Sequence, residues 1–247
     1  MNYYGDELPT DEFVFAACDG IYFRQHASAF ARSVSAIGMH SHIHVISPTP
    51  EDFTLAYMLK GDIDNRLTVT YSDTIVDDPN IARMYYSVVR FLFVPLMLQR
   101  GARKIMVTDI DCIFNHSWTW PAEDAGLFFR ESLPGTIGWE KEGTKVAAGA
   151  VYLTPKALPF SKLVADMIQD GTKAWFADQV ALHRAYMKCR DHISFATITN
   201  HFMDWEFNDG SIMWTGKGNR KDKDAKYLAR KKELDDVHDG AVERFWK

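Results

Sequence analysis

The chain has 247 residues, 47% of them hydrophobic and 25% charged, with a formal net charge of −5. That length suits one large α/β domain with a substantial core, the charge gives no general attraction for nucleic acid, and no apolar run is long enough for a membrane-spanning helix. The acidic N-terminus (Asp6, Glu7, Asp11, Glu12) does not read as a signal peptide, so a cytoplasmic protein is expected. Cys18, Cys112 and Cys189 lack CxxC spacing, which predicts reduced thiols rather than a disulfide framework or a zinc site.

Residues 12–18 form an apolar run that stops at Asp19-Gly20, predicting a strand and a tight loop. Phe23, Ala27, Phe30, Ala31, Val34 and Ile37 then fall at helical spacing, with Gly38 as the stop. A second strand is read over 42–46, a short helix over 51–60 ended by Gly61, and a third strand over 67–71. Strands alternating with helices at this interval imply βαβ units and a mostly parallel sheet. The helix opening at Asp77-Asp78-Pro79-Asn80 runs to Gln99 and is apolar on most faces, so it must be largely buried, and Pro95 should kink it or end its regular part. Arg83 and Arg90 share a face of this helix, and a buried arginine needs an anion, whether an acidic residue of the sheet or a ligand.

Residues 104–114 are an apolar strand that delivers Asp109 and Asp111, on either side of Ile110, at its carboxyl end. In a parallel α/β sheet that end is where ligands bind, and carboxylates there are usual ligands for a hard cation carrying a phosphorylated substrate. The pattern predicts a metal–diphosphate site with Mn²⁺ or Mg²⁺; capping of a helix or turn is the competing reading. Further strands are read over 125–130 and 146–154, separated by a Gly-rich charged loop over 135–145. Helices follow over 155–170 and 175–187, the second carrying Asp178-Gln179 near its start, and then strands over 192–197 and 211–214. The segment Thr215-Gly216-Lys217-Gly218-Asn219-Arg220-Lys221 has glycines that permit close approach and basic side chains that can close over phosphates. Beyond it the chain reads as a surface helix or a tail wrapped on the domain. His40, His42 and His44 alternate along a strand without an acidic or cysteine partner, which predicts packing rather than zinc. No repeat or linker interrupts the chain. It reads as one domain over 1–247, with a nucleotide-binding half at about 10–115, an acceptor-side half at about 116–221 and a basic C-terminal segment over 217–247.

With these pieces in order the chain resembles the GT-A-fold glycosyltransferases, most nearly the family-8 branch that uses nucleotide-activated hexoses. Ala17-Cys18-Asp19-Gly20-Ile21-Tyr22 is similar to the family's nucleoside-holding segment, with Cys18 at its first acidic position; the resemblance implies that Asp19 accepts a hydrogen bond from base or ribose and that Tyr22 stacks on the base. Arg90 matches the family's arginine, Asp109 and Asp111 its Asp-x-Asp, and Asp178-Gln179 its Asp-Gln helix. Ala147-Ala148-Gly149 is similar to its acceptor-side Asn-Ala-Gly, with Ala147 in place of the asparagine. The C-terminal segment, through Gly216, Lys217 and Lys221, is similar to its His-Phe-x-Gly-x-x-Lys, with Thr215 in place of the metal-binding histidine.

The resemblance implies a Rossmann-like single domain and transfer of a hexose, with retention, from a nucleotide-diphosphate sugar, UDP-linked above all, to a glycan or other hydroxyl acceptor. Asp109 and Asp111 would hold the metal, with water or His201 as further ligands, and Asp178 would face the reacting sugar with Gln179 as its rival. Trp118, Trp120 and Trp139 are the tryptophans suspected of stacking on carbohydrate. Two alternatives stay open: a non-catalytic nucleotide-sugar-binding module, and a haloacid-dehalogenase-like phosphatase. In the phosphatases the Asp-x-Asp usually lies near the start of the chain and is followed two residues on by Thr or Val, where this chain has Ile113.

Overall fold

The computed structural model describes residues 2–74, 76, 78–130, 145–171, 176–216 and 218–236. Most of the loop read over 135–145, with Trp139, therefore lies outside the described residues, as do Lys217, the tail beyond 236 and the side chain of Arg83.

The first long strand, β2 (Glu12–Asp19), is buried on both faces because its side chains alternate between two apolar layers. Phe13, Phe15 and Ala17 point into one layer, and Val14, Ala16 and Cys18 into the other. The Asp19 carboxylate then accepts the Tyr22 N–H at 2.7 Å, capping α1 (Gly20–Ala36). β3 (His40–Ile46), α2 (Pro50–Asp62) and β4 (Leu67–Ser72) follow. α2 begins with a capping box between Thr49 and the fully buried Asp52, has Pro50 in its first turn, and runs through Gly61 rather than stopping there. α3 (Pro79–Gln99) likewise runs through Pro95 to Gln99, packed against β2, α4 and α5.

β3 pairs parallel to β2 on one side, with β4 parallel to β3 beyond it, while β5 (Lys104–Thr108) pairs parallel to β2 on the other. The order of strands therefore reverses between β2 and β5. The carboxyl ends of these two strands, Asp19 and Thr108-Asp109, flank the crevice where an open α/β sheet binds ligands. A short β1 (Tyr4–Gly5) edges the sheet at β4. On the far side β8 (Val146–Leu153) runs antiparallel to β5 and to β7 (Ala125–Phe129), and β9 (Phe195–Thr197) completes the order β1-β4-β3-β2-β5-β8-β7-β9. β9 is shorter than the expected 192–197 because the His192 and Ile193 N–H groups finish the preceding helix on the Cys189 carbonyl. α3, α4 (Leu158–Asp170) and α5 (Ala177–Cys189) cover one face, and α1 and α2 the other.

A second sheet forms beside the crevice from β6 (Cys112–Phe114), β10 (Met203–Asp204) and β11 (Met213–Thr215), in the order β10-β11-β6. It sets Thr215 opposite Cys112. α6 (Ala225–Asp236) then docks on α1. Tyr227 and Leu234 bury with Ala29, Ile113, Phe207 and Trp214, and the buried Arg32 donates to the last carbonyls of α6, Leu234 at 2.6 Å and Asp235 at 3.1 Å.

The three histidines of β3 do pack rather than gather a metal. They interleave with the hydroxyls of β4: Thr68 meets His40 and His42, Thr70 meets His42 and His44, and Ser72 meets His44, at 2.8–3.1 Å. Burial pushes the pKa of His44 down to about 3 and that of His42 well below its ordinary value. A histidine held neutral in the fold but free to charge when unfolded contributes stability that is complete above its unfolded pKa and lost as pH falls below it. Each should add about 1.4 kcal/mol of destabilisation per pH unit below the unfolded value of about 6.5. Urea unfolding between pH 7.5 and 5 should show this loss, and His44→Asn, though less stable overall, should show a shallower slope; equal slopes would mean that His44 takes up its proton alike in both states.

Candidate active site

Arg90 holds the crevice together. It lies on α3 with 3% of its surface exposed, and its guanidinium donates to the Thr108 carbonyl at 3.2 Å, the Ala148 carbonyl at 3.2 Å, the Asp109 carboxylate and the Asp178 carboxylate at 3.4 Å. One side chain thus ties the ends of β5 and β8 to the start of α5. Burial opposes its charge, but Asp109 and then Asp178 outweigh that and hold its pKa above the ordinary arginine value.

The Ala148 carbonyl reaches Arg90 because β8 slips in register against β7. Leu127 pairs with Val151, yet the next residue, Phe128, pairs with Ala147. Residues 148–150 are the extra length, lifted from the β7 ladder beside Arg90 and Asp109. Gly149 fits this bend because a first side-chain carbon there would come within 3.0 Å of Met203 Sδ, 3.4 Å of Asp109 Oδ2 and 3.6 Å of Thr215 Oγ1. The Thr215 hydroxyl thus faces the same space beside Gly149 as Asp109 Oδ2.

Asp111 is held from the C-terminal side. Lys221 Nζ bonds Asp111 Oδ2, donates to the Tyr22 hydroxyl at 3.2 Å and lies 4.7 Å from the Tyr22 ring centroid. Burial pushes the Asp111 carboxyl up, to about 6, against the pull of Lys221; burial also opposes the lysine's charge, but Asp111 and Tyr22 keep its pKa above the ordinary value. Gly216 makes room for the lysine, since a first side-chain carbon there would fall 2.7 and 2.9 Å from Lys221 Cδ and Cβ and 3.0 Å from Asp111 Oδ2. The Asp111 carbonyl accepts the fully buried Tyr227 hydroxyl at 2.8 Å, so α6 fixes the backbone of the motif.

Asp178 occupies the first turn of α5 with 5% exposure, where the helix dipole and Arg90 both favour its charge while burial pushes its pKa up. Beside it, Gln179 Oε1 is buried with no hydrogen-bond partner. Asp19 and Tyr22 stand at the end of β2, Asp19 with one carboxylate oxygen committed to the helix cap. The Cys18 and Ile110 side chains are buried in the layer under α1 and Ala17 in the opposite layer, which leaves their backbone as the part that faces a ligand. Trp118 and Trp120 pack on Phe114, Phe202 and Tyr152 and are half-buried against the core rather than presented as open platforms.

The donor set suits a hard cation. Asp109 Oδ2 and Asp111 Oδ1 are the carboxylate oxygens not engaged by Arg90 or Lys221, and the Thr215 hydroxyl adds a third oxygen near Asp109. Among the described residues no group of three His, Cys, Asp or Glu side chains forms a metal site, and His201 is exposed. Sequence reasoning missed Tyr227, Arg32 and Arg130. Arg130 follows the last residue of β7, within electrostatic reach of Asp178; its only signal was an arginine ending an apolar strand.

No protein-family model matches the chain, and no curated protein matches it in sequence. Solved structures do match. The galactosyltransferase LgtC, in complex with donor and acceptor sugar analogs, is similar with a TM-score of 0.61 at 14% identity, over 91% of this chain and 94% of that one. The glycosyltransferase GlyE of Streptococcus pneumoniae TIGR4 gives 0.58 at 12%, over 89% of this chain and 60% of GlyE, so this chain spans about three fifths of that protein's length. Mouse xyloside xylosyltransferase 1 in its apo form gives 0.51 at 11%, over 85% and 98%. At these identities the likeness is one of fold, and the fold is that of the GT-A glycosyltransferases. Among the described residues no helix is long and apolar enough to cross a membrane.

Two substitutions test the hold on Asp111. Gly216→Ala should cost about 1–3 kcal/mol by forcing Lys221 aside, and Tyr227→Phe about 1 kcal/mol by removing the hydroxyl from the Asp111 carbonyl, both read by urea unfolding at neutral pH. A neutral Gly216→Ala would mean that the lysine moves freely.

Proposed function

We propose that the protein is a metal-assisted glycosyltransferase that moves a hexose, with retention, from a nucleotide-diphosphate sugar, a UDP-sugar in the first instance, to a hydroxyl of a glycan or other acceptor. The observation that carries this reading is the charged row at the switch point: Asp111 and Asp109, then Arg90, then Asp178, across the ends of β5, β8 and α5.

Glycosyl transfer develops positive charge at the anomeric carbon while negative charge gathers on the departing diphosphate. Asp109 and Asp111, with Thr215 beside them, would hold Mn²⁺ or Mg²⁺, which when bound would supply countercharge to that diphosphate. Lys221 is within reach to pass from Asp111 to a phosphate oxygen, and Lys217 belongs to the same segment. Arg90 keeps Asp109 and Asp178 in register, so one carboxylate serves the phosphate end while the other faces the sugar, positioning its hydroxyls or stabilising the anomeric centre. Gln179, whose amide oxygen is buried and unpartnered, suits a sugar hydroxyl. Asp19 and Tyr22 lie at the nucleoside end, and the bent Ala148-Gly149 segment lets the sugar approach the backbone. A non-catalytic binder of the same donor is the second reading, favoured by Thr215 in place of the histidine and by Lys221 already seated on Asp111.

Hydrolysis of a panel of UDP- and GDP-hexoses with and without Mn²⁺ tests both. Slow, metal-dependent release of nucleoside diphosphate from one donor is expected, lost in Asp111→Ala and lowered about 10²–10⁴-fold in Asp178→Asn. Metal-dependent nucleotide binding without release, including in the presence of acceptor sugars, would favour the binder. Neither binding nor release would overturn the assignment.

A further inference from the structure

Arg130 has no role in the row just described, and its surroundings are unusual for an arginine. Its backbone N–H donates to the Lys145 carbonyl at 2.9 Å, continuing the pairing of β7 with β8 and fixing where the side chain leaves the sheet. The side chain is half-buried, its Nε is enclosed without a hydrogen-bond partner, and among the described residues no carboxylate forms an ion pair with it. Asp178 attracts it electrostatically but is already committed to Arg90 and to the Gln179 N–H at 2.8 Å. The Nε has thus lost water without gaining a partner, and the planar fork of a guanidinium is shaped to take a carboxylate or phosphate through two parallel hydrogen bonds.

Its place in the sheet says which part of a substrate it would meet. From the Asp-x-Asp at the end of β5, the row runs through Arg90 to Asp178 and then towards the end of β7, two strands away. The diphosphate belongs at the first end of that row, so Arg130 lies on the saccharide side.

The geometry points to an acidic saccharide as the substrate: Arg130 pairs with a carboxylate or phosphate carried by the sugar, beyond Asp178 from the diphosphate. This rests on the glycosyl-transfer reading for where the saccharide lies, and it makes Arg130 a specificity residue. The anion belongs either to the donor, as in a uronic acid, or to the acceptor; the chemistry of recognition is the same.

Matched pairs of substrates test it. UDP-glucose against UDP-glucuronate, and UDP-galactose against UDP-galacturonate, probe the donor; glucose against glucuronate and glucose 6-phosphate probe the acceptor. The acidic member should be preferred at least about tenfold in kcat/KM in one arm, which identifies the source of the anion. Arg130→Met should reduce the acidic-to-neutral ratio by a similar factor, and Arg130→Lys should restore part of it. A purely structural role would lower both members together and leave the ratio unchanged. Independently of turnover, D-glucuronate at high concentration should raise the Tm of the wild type more than D-glucose does, and this difference should vanish in Arg130→Met.

Turnover of neutral substrates without preference would overturn the acidic-saccharide assignment and leave glycosyl transfer standing. Stabilisation by glucuronate through Arg130 with no release from any donor would do the reverse. A ratio that survives Arg130→Met would show that the discrimination lies elsewhere and would overturn the role of Arg130.

Discussion

A buried guanidinium with four acceptors fixes the geometry of this site. Arg90 emerges from the most apolar helix of the chain into a space with little water, where its charge persists only because Asp109, Asp178 and two backbone carbonyls surround it. Each of those partners comes from a different part of the chain: the turn after β5, the irregular segment of β8, the first turn of α5. Removing any one leaves a charge partly unpaired in the interior, so the partners stabilise one another's positions as well as the arginine. The site is thereby built on strand ends and a helix start rather than on long loops, and its carboxylates are set in place before any substrate arrives.

The other half of the site depends on the C-terminal segment. α6 is polar over most of its surface and buries only Tyr227 and Leu234, yet those two side chains and the Arg32 cap suffice to dock it on α1. From there Tyr227 reaches the Asp111 carbonyl and the preceding turn delivers Lys221 to the Asp111 carboxylate. The Asp-x-Asp is consequently gripped at both acidic positions by cations of the chain, Arg90 on Asp109 and Lys221 on Asp111. The two grips differ in kind. Arg90 is enclosed and multiply bonded, while Lys221 comes from a flexible stem and rests against the partly exposed Tyr22.

Charge is distributed unevenly along the crevice. Near the Asp-x-Asp the carboxylates outnumber the free cations, which suits a metal-borne diphosphate. Past Asp178 the balance turns, because among the described residues no carboxylate pairs with Arg130. The register slip in β8 contributes to this, since it brings the Ala148 carbonyl to Arg90 and lets the pairing with β7 continue to Arg130.

Much of this was legible in the chain itself. The alternation of apolar runs and helical stripes gave the βαβ order, because burial on two faces of a strand and one face of a helix imposes periods that survive in any context. The Asp-x-Asp at the end of an apolar strand, Asp19 after another, and a buried arginine on the intervening helix foretold the charged side chains that gather at the strand ends, since carboxyl ends of parallel strands converge at a switch point whatever the loops do. A local signal erred where tertiary packing overrode it: Gly61 did not end its helix, and Trp118 and Trp120 lie half-buried against the core. What only the tertiary structure decided were the relations between distant residues: Tyr227 on the Asp111 carbonyl, Arg32 on the end of α6, the slip that bends Ala148-Gly149, and the enclosure of Arg130 Nε without a partner. None has a local pattern, because each depends on the distance between segments far apart in the chain, and that distance is set by packing rather than by neighbouring residues.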